Sequence, residues 1–161
     1  MGGKLTTFRL MAHQALQAVR RRFAGRPHFD RSKRMLAAPP AATPWPDAVA
    51  LEPAVRLRLL GRYGADEPAM LAVAGAGEIA PIEKSAALWA ELRWAARAEG
   101  VVHLDDLLLR RVRLGLLLPR GGQGSLAQVR AIAQPELGWN DERWEREAEA
   151  YRQIWDRAYA P

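Results

Sequence analysis

Apolar residues recur at helical intervals along most of the chain, and no stretch of four or more residues alternates strictly. Over 6–24, Phe8, Met11 or Ala12, Ala15, Val19 and Phe23 fall three or four apart, which places them on one face of an amphipathic helix. Thr6 or Thr7 can cap its start, and Gly25 and Pro27 mark its end. Arg20, Arg21 and Arg22 crowd its last turn, where positive charge suits the helix dipole. The pattern breaks over 25–52. There Pro39, Pro40, Pro44 and Pro46 sit among small residues and predict an extended connector. Pro53 then opens a short helix through Tyr63 that Gly64 stops, and Asp66 opens a second over 66–74. A stronger helix is predicted over 84–99. Leu88, Leu92 and Ala95 or Ala96 line one side of it, and Gly100 fits the left-handed position past its end. Residues 104–118 predict a Leu-rich helix, Ser125 caps another to about residue 134, and Asn140 caps the last over 141–158. The pattern predicts an all-α fold, with several short helices around one core over 53–161.

Composition agrees. A chain of 161 residues suits one domain and can bury about two-thirds of its unfolded surface. Ala and Leu supply most of the apolar residues, while Val and Ile are scarce, a mix that favours helices. Cysteine is absent, which excludes disulfides, thiolate-ligated metals and a thiol nucleophile. Ser and Thr number three each, and His13, His28 and His103 lie far apart, so neither a hydroxyl nucleophile nor a metal site suggests itself.

Charge is uneven. The first 34 residues carry nine basic side chains against Asp30 alone, so they hold +8 of a net +6 and leave −2 for the remainder. Arg supplies 21 of the 24 basic residues, which reflects genome composition more than nucleic-acid binding, and a nucleic-acid partner is not expected. A solvated basic face is the plain reading. A contact with an anionic membrane surface or an acidic partner stays open. No uninterrupted apolar window of about 18 residues appears, so no bilayer-spanning helix is expected. The first residues lack the basic-then-apolar order of a secretory signal, which leaves the cytoplasm as the expected compartment. Gly2 and Thr6 match a loose myristoylation pattern, short enough to recur by chance.

Four segments invite a chemical reading. Gly75 to Ala80 fits G-x-G-x-x-A, but a helical Ala-rich segment precedes it and Pro81 follows, so a loop is expected rather than a dinucleotide turn. Gly121-Gly122-Gln123-Gly124 lacks a P-loop lysine and reads as a flexible turn. In the run 104–114, Asp106 and Arg110 stand four apart with the acid first, the favoured order for a helical ion pair. Arg110, Arg111 and Arg113 fan round that helix, so at least one is expected to face inward or a partner, with Glu91 or Glu99 as its carboxylate. Finally, Gly2-Gly3-Lys4-Leu5-Thr6-Thr7 combines close backbone approach, helix amides and a mobile positive charge, which suits an anion.

These segments occur in a telling order. Gly2 to Arg9 resembles the GGKLTTYR signature of FAD-dependent glycerol-3-phosphate dehydrogenases. Leu57 through Arg62-Tyr63-Gly64 is similar to that family's L-x-x-R-Y-G segment. Glu91 and the stretch Leu104-Asp105-Asp106 to Leu114 resemble its E…LEDVLxRRTRL, and Leu137-Gly138-Trp139-Asn140, Glu147 and Tyr151 its LGW…E…Y end. The likeness covers roughly 2–13 and 54–151. Val112 departs from the family's usual Thr, and 36–52 is only loosely similar. The family's flavin fingerprint and substrate domain do not occur in these 161 residues. Met1 is therefore expected to mark a truncated or misassigned start, an expression boundary or a split gene.

The resemblance implies a C-terminal portion: a flavin-loop remnant and helix over 1–24, a connector over 25–52, and a helical domain over 53–161. It implies that the complete enzyme oxidises sn-glycerol 3-phosphate to dihydroxyacetone phosphate and passes electrons through FAD to quinone. Lys4 would be catalytic, stabilising negative charge that builds on the flavin ring, with Gly2, Gly3, Leu5, Thr6 and Thr7 binding the cofactor. Glu91, Asp106, Arg110, Arg111 and Arg113 would be structural or interface residues. The isolated chain is expected to lack FAD and activity. Its partners would be the missing flavin and substrate domains, with a peripheral contact on the inner face of the cell membrane and a homodimer both open. The rival expectation is a stand-alone helical interaction module whose basic first helix meets a membrane or partner.

Overall fold

The computed structural model describes residues 7–22 and 51–160, and every regular element within them is helical. The first stretch belongs to a unit spanning Met1–Ala38, the second to a unit spanning Pro39–Pro161. Among the described residues no helix is long and apolar enough to cross a membrane.

In the first unit, α1 (Phe8–Val19) passes into a 3-10 turn, Arg20–Arg22. Thr7 precedes α1, but its backbone (φ −105°, ψ 1°) is not the extended conformation that aims a capping oxygen at helix amides. Its hydroxyl instead donates to Met11 Sδ at 3.9 Å. No residue of α1 is buried, and Phe8, Leu10, Leu16 and Val19 are exposed. Residues 6, 23 and 24 of the expected helix lie outside the described residues, as does nearly all of the expected connector.

The second unit holds α2 (Pro53–Tyr63), α3 (Glu67–Ala72), α4 (Trp89–Ala98), a π-helical segment (Asp106–Arg111), α5 (Leu114–Leu117), α6 (Leu126–Leu137) and α7 (Asp141–Ala158). Pro53 stands in the first turn of α2, where its missing N–H costs nothing, and Gly64 ends that helix at φ 55°. Asn140 caps α7 by accepting from the Arg143 amide at 2.8 Å.

Two apolar clusters lie against α4. The larger joins Leu92, Ala95 and Ala96 to Leu107 and Leu108, to Val129 and Ile132 of α6, and to Trp144, Ala148 and Tyr151 of α7. The smaller gathers Leu59 of α2, Met70 and Leu71 of α3, and Leu88 and Ala90. Burying each such leucine contributes about 1.5–3 kcal/mol, so both clusters hold helices in place.

The helix expected over 84–99 begins only at Trp89. Residues 81–88 form a turn that folds back on itself instead, in which Ile82 N–H donates to the Ala87 carbonyl at 2.7 Å and Trp89 N–H to that of Ala80 at 3.2 Å. Glu83 within it takes φ 50°, which no helix permits. The helix expected over 104–118 is broken as well. Val112 N–H reaches back five residues to Leu107 at 2.9 Å, closing a π turn, and Arg113 then flips to φ 60°. The helix expected to end near 134 runs on to Leu137 with Pro135 inside its last turn, where Gly138 at φ 63° closes it. Ser125 stands before α6 yet does not cap it, because its hydroxyl donates to Glu83.

The glycine segment expected as a flexible turn is tightly built: Gly121 and Gly122 are buried at φ 67° and 72°. The Tyr151 hydroxyl donates to the Gly121 carbonyl at 2.5 Å, and Trp155 Nε1 donates to the Gly115 carbonyl at 2.9 Å. A methyl group at Gly115 would collide with the Tyr151 hydroxyl and lie 2.7 Å from Leu109 Cδ2. Overpacking of this kind typically costs about 1–3 kcal/mol. Gly115→Ala is therefore expected to lower the unfolding free energy by that amount, seen as a lower urea midpoint at an unchanged slope. An unchanged midpoint would contradict the close seating of α7 on this turn.

Candidate functional site

Glu91 is fully buried, and its carboxylate is met from four sides. Arg58 donates through both terminal nitrogens at 2.9 and 2.7 Å, and the Tyr63 hydroxyl donates at 3.0 Å. The Leu88 amide donates at 2.8 Å, so the same carboxylate caps the start of α4 from its third position. Arg62 Nε stands 3.9 Å away. The hydrogen bonds to Glu91 hold the Arg58 guanidinium above its ordinary value, against the effect of burial. Burial, reinforced by the Glu91 charge, pushes the Tyr63 hydroxyl up, so it stays a proton donor. Arg58 and Arg62 lie one turn apart on α2, which brings both to one face. The side-chain partners of Glu91 thus come from α2, whereas the expectation offered Glu91 or Glu99 as the carboxylate for Arg110, Arg111 or Arg113.

A second network joins α4 to the 75–80 loop and to α6. Arg93 donates through Nε and Nη2 to Glu78 at 2.7 and 2.6 Å and through Nη1 to Glu136. Arg97 donates to Glu136 at 2.7 and 3.1 Å. Glu78 also accepts from the Gly75 amide at 2.8 Å. That loop therefore runs as turns closed by its own carboxylate, with a helix before it and no strand. It does not fit a dinucleotide.

In the 104–111 run, Asp106 reaches back to the amides of His103 at 2.9 Å and Val102 at 3.2 Å and pairs with Arg110 at 2.9 Å. Burial pushes its carboxyl up, but the two amides and Arg110 outweigh that and hold it below its ordinary value. Arg110 also pairs with Asp105. Arg110, Arg111 and Arg113 are all exposed, so of the two expected orientations, inward or toward a partner, the inward one is not met. The break in the helix, with Arg113 in a left-handed conformation, turns them outward. From α7, Glu147 accepts from the Leu104 amide at 3.1 Å and contacts His103 Nδ1 at 3.1 Å. Arg62 donates to the Arg111 carbonyl, which links the Glu91 hub to the end of the π segment.

Gly2, Gly3, Lys4, Leu5 and Thr6 lie outside the described residues, and Thr7 opens α1. Glu78, Arg93, Arg97 and Glu136 carry a network that the sequence reading did not single out. Only the four-residue spacing of Arg93 and Arg97 hinted at it, since their partners lie 15 to 43 residues away. Among the described residues no cluster of His, Asp or Glu could hold a metal ion. The networks pair carboxylates with guanidinium groups, amides and a tyrosine hydroxyl, an arrangement that holds helices together.

Residues 8–144 match the family described as the C-terminal domain of alpha-glycerophosphate oxidase. The chain belongs to that family. It is 34% identical over 161 residues to the glycerol-3-phosphate dehydrogenase of Mycobacterium leprae, an alignment that covers 93% of this chain and 28% of the relative. Likeness to glycerol-3-phosphate dehydrogenase 2 of Mycobacterium tuberculosis is 33% with the same coverage. The chain thus spans little more than a quarter of the curated relatives it matches. No solved structure matches it. Within this C-terminal domain, the two networks on α4 join segments that sequence distance would otherwise leave independent.

The Arg93 network makes the domain sensitive to acid. Hydrogen bonds from Arg93, opposed by burial and aided by the Gly75 amide, hold Glu78 below its ordinary 4.5. Arg97 first, opposed by burial and then aided by Arg93, does the same for Glu136. A carboxylate with a lowered folded-state value contributes stability above its unfolded value and loses it as pH falls through the folded one. Glu67 works in the opposite sense, because burial raises its carboxyl despite Arg56. Urea midpoints are expected to fall as pH drops below the ordinary carboxylate value of 4.5, and to fall less steeply in Arg93→Ala. Equal slopes in the two proteins would contradict the network.

Proposed function

We propose that this chain is the helical C-terminal portion of an FAD-dependent glycerol-3-phosphate dehydrogenase, serving as scaffold and interface for the flavin and substrate portions. The observation that carries the reading is a family match over 8–144 together with one-third identity along nearly the whole chain. The charged networks support a scaffold role, since they hold helices together. The assembled enzyme would take sn-glycerol 3-phosphate to dihydroxyacetone phosphate and deliver electrons to quinone at the inner face of the cell membrane. The isolated chain would be inactive.

Within that enzyme FAD supplies the redox chemistry. Lys4 would place a positive charge beside the flavin ring, and Gly2 and Gly3 would let the backbone come close to it. Amides around Leu5, Thr6 and Thr7, at the head of α1, would add further positive potential. Glu91 would fix α2 against α4, while Asp106 would cap the run that carries Arg110, Arg111 and Arg113.

The test uses a chimera in which this chain replaces the matched portion of the Mycobacterium tuberculosis glycerol-3-phosphate dehydrogenase 2. A cation near charge that grows in the transition state is worth about 10²–10³ in rate. Lys4→Ala is expected to slow anaerobic flavin reduction by glycerol 3-phosphate by that factor, with full FAD occupancy and an unchanged melting temperature. Lys4→Arg should recover only part, since a planar guanidinium cannot take the same position. Equal rates for wild type and Lys4→Ala would reduce Lys4 to an ordinary surface lysine.

A further inference from the structure

Much of the outer surface of the second unit answers its own charges. On α7, Arg146 pairs with Glu142 at 2.6 Å and Arg152 with Glu149 at 3.2 Å, while Arg130 bridges Asp141 and Glu145. A face neutralised in this way is a solvated one. The stretch from Arg111 to Arg120 is different.

Arg111, Arg113 and Arg120 are exposed and form no ion pair with a described residue. Between them, Leu116 and Leu117 are 52% and 61% exposed. The cause is geometric. Leu114, Gly115 and Leu118 are buried, and at about 100° per residue this turns Leu116 and Leu117 to the opposite side of α5. The backbone is held in that arrangement. Arg62 ties down the Arg111 carbonyl, and Leu116 N–H donates to the Arg113 carbonyl at 3.0 Å. Arg113 and Arg120 both take left-handed conformations, at φ 60° and 50°, that an arginine adopts only under constraint from its surroundings. Two adjacent exposed leucines, flanked along the chain by three exposed cations, suit an apolar recess lined with carboxylates.

The relatives show what is available to cover it. The family is by description a C-terminal domain, and the chain corresponds to 28% of those relatives, so most of their length lies outside it. We propose that the face formed by Arg111, Arg113, Leu116, Leu117 and Arg120 docks this domain onto the flavin-bearing portion that precedes it in its relatives, where an acidic, apolar-centred surface receives it. The inference rests on the reading of the chain as that enzyme's C-terminal portion. Arg110 takes no part, because Asp105 and Asp106 already answer its charge.

The test is calorimetric unfolding of the same chimera, with Leu116→Ser/Leu117→Ser, with Arg113→Gln/Arg120→Gln, and with Leu57→Ser as an exposed apolar control. The unmodified chimera is expected to melt in one transition. Each double variant should split it in two and speed protease cleavage at the junction roughly tenfold or more, as the open form gains population. In the isolated chain the leucine pair should leave the melting temperature unchanged, and Leu57→Ser should leave the chimera unchanged. A single transition that survives both double variants would overturn the docking face alone. Two independent transitions in the unmodified chimera would overturn the domain reading and the inference with it. Binding of the isolated chain to phosphatidylglycerol vesicles that the leucine pair abolishes, with the chimera unaffected, would assign the face to a membrane surface and overturn the proposal.

Discussion

A carboxylate with no access to water must be surrounded by donors, and in this domain that carboxylate is Glu91. Its demands reach in three directions. The Leu88 amide fixes where α4 begins, and Arg58 and Tyr63 fix how α2 lies against it. Leu88 and Leu59 then meet in the smaller apolar cluster, so the polar and apolar contacts between these helices reinforce one another. Arg62 carries the effect further, to the carbonyl that ends the π segment. Arg58 Nε is buried without a partner, which shows that the guanidinium is oriented for Glu91 through its two terminal nitrogens.

The last helix supplies the second constraint. Glu147, Tyr151 and Trp155 follow one another at four-residue steps and reach a helix start, a buried glycine turn and the carbonyl of Gly115 in succession. The turns at 113–122 take positive φ at Arg113 and Arg120, where a side chain makes it costly, and at Gly121 and Gly122, where it is free, and α7 closes over Gly115 and Gly121. Structure that depends on a distant helix in this way is cooperative: loosening α7 would free the π segment, α5 and the loop together.

The helical character of the chain was legible because period and punctuation agreed. Pro53, Gly64, Asn140 and the spacing within 141–158 mark elements whose ends the structure reproduces. Legibility failed where tertiary contacts override local pattern. Residues 84–88 have no strong helix breaker, yet hydrogen bonds to Ile82 fold them into a turn. The 104–118 run reads as one Leu-rich helix, but the π turn closed at Val112 and the positive φ at Arg113 divide it. The pattern points Glu91 toward the arginines of 104–114, whereas its partner is Arg58 of α2, because an ion pair 33 residues apart leaves no periodic trace. The first residues, where the sequence places its chemistry, fall outside the described residues, and that reading stands on the motif alone.

The claim that Glu91 organises the domain is tested most directly by a double-mutant cycle between Arg58 and Glu91, measured by urea denaturation. Arg58→Ala leaves a buried carboxylate short of its main donor and should be strongly destabilising, by about 3–5 kcal/mol. Glu91→Gln removes the charge, and adding it to Arg58→Ala should restore part of that loss. The account predicts a coupling energy above about 1.5 kcal/mol, at the upper part of the range for residues in direct contact. Additive losses, with a coupling within about 0.5 kcal/mol of zero, would contradict it.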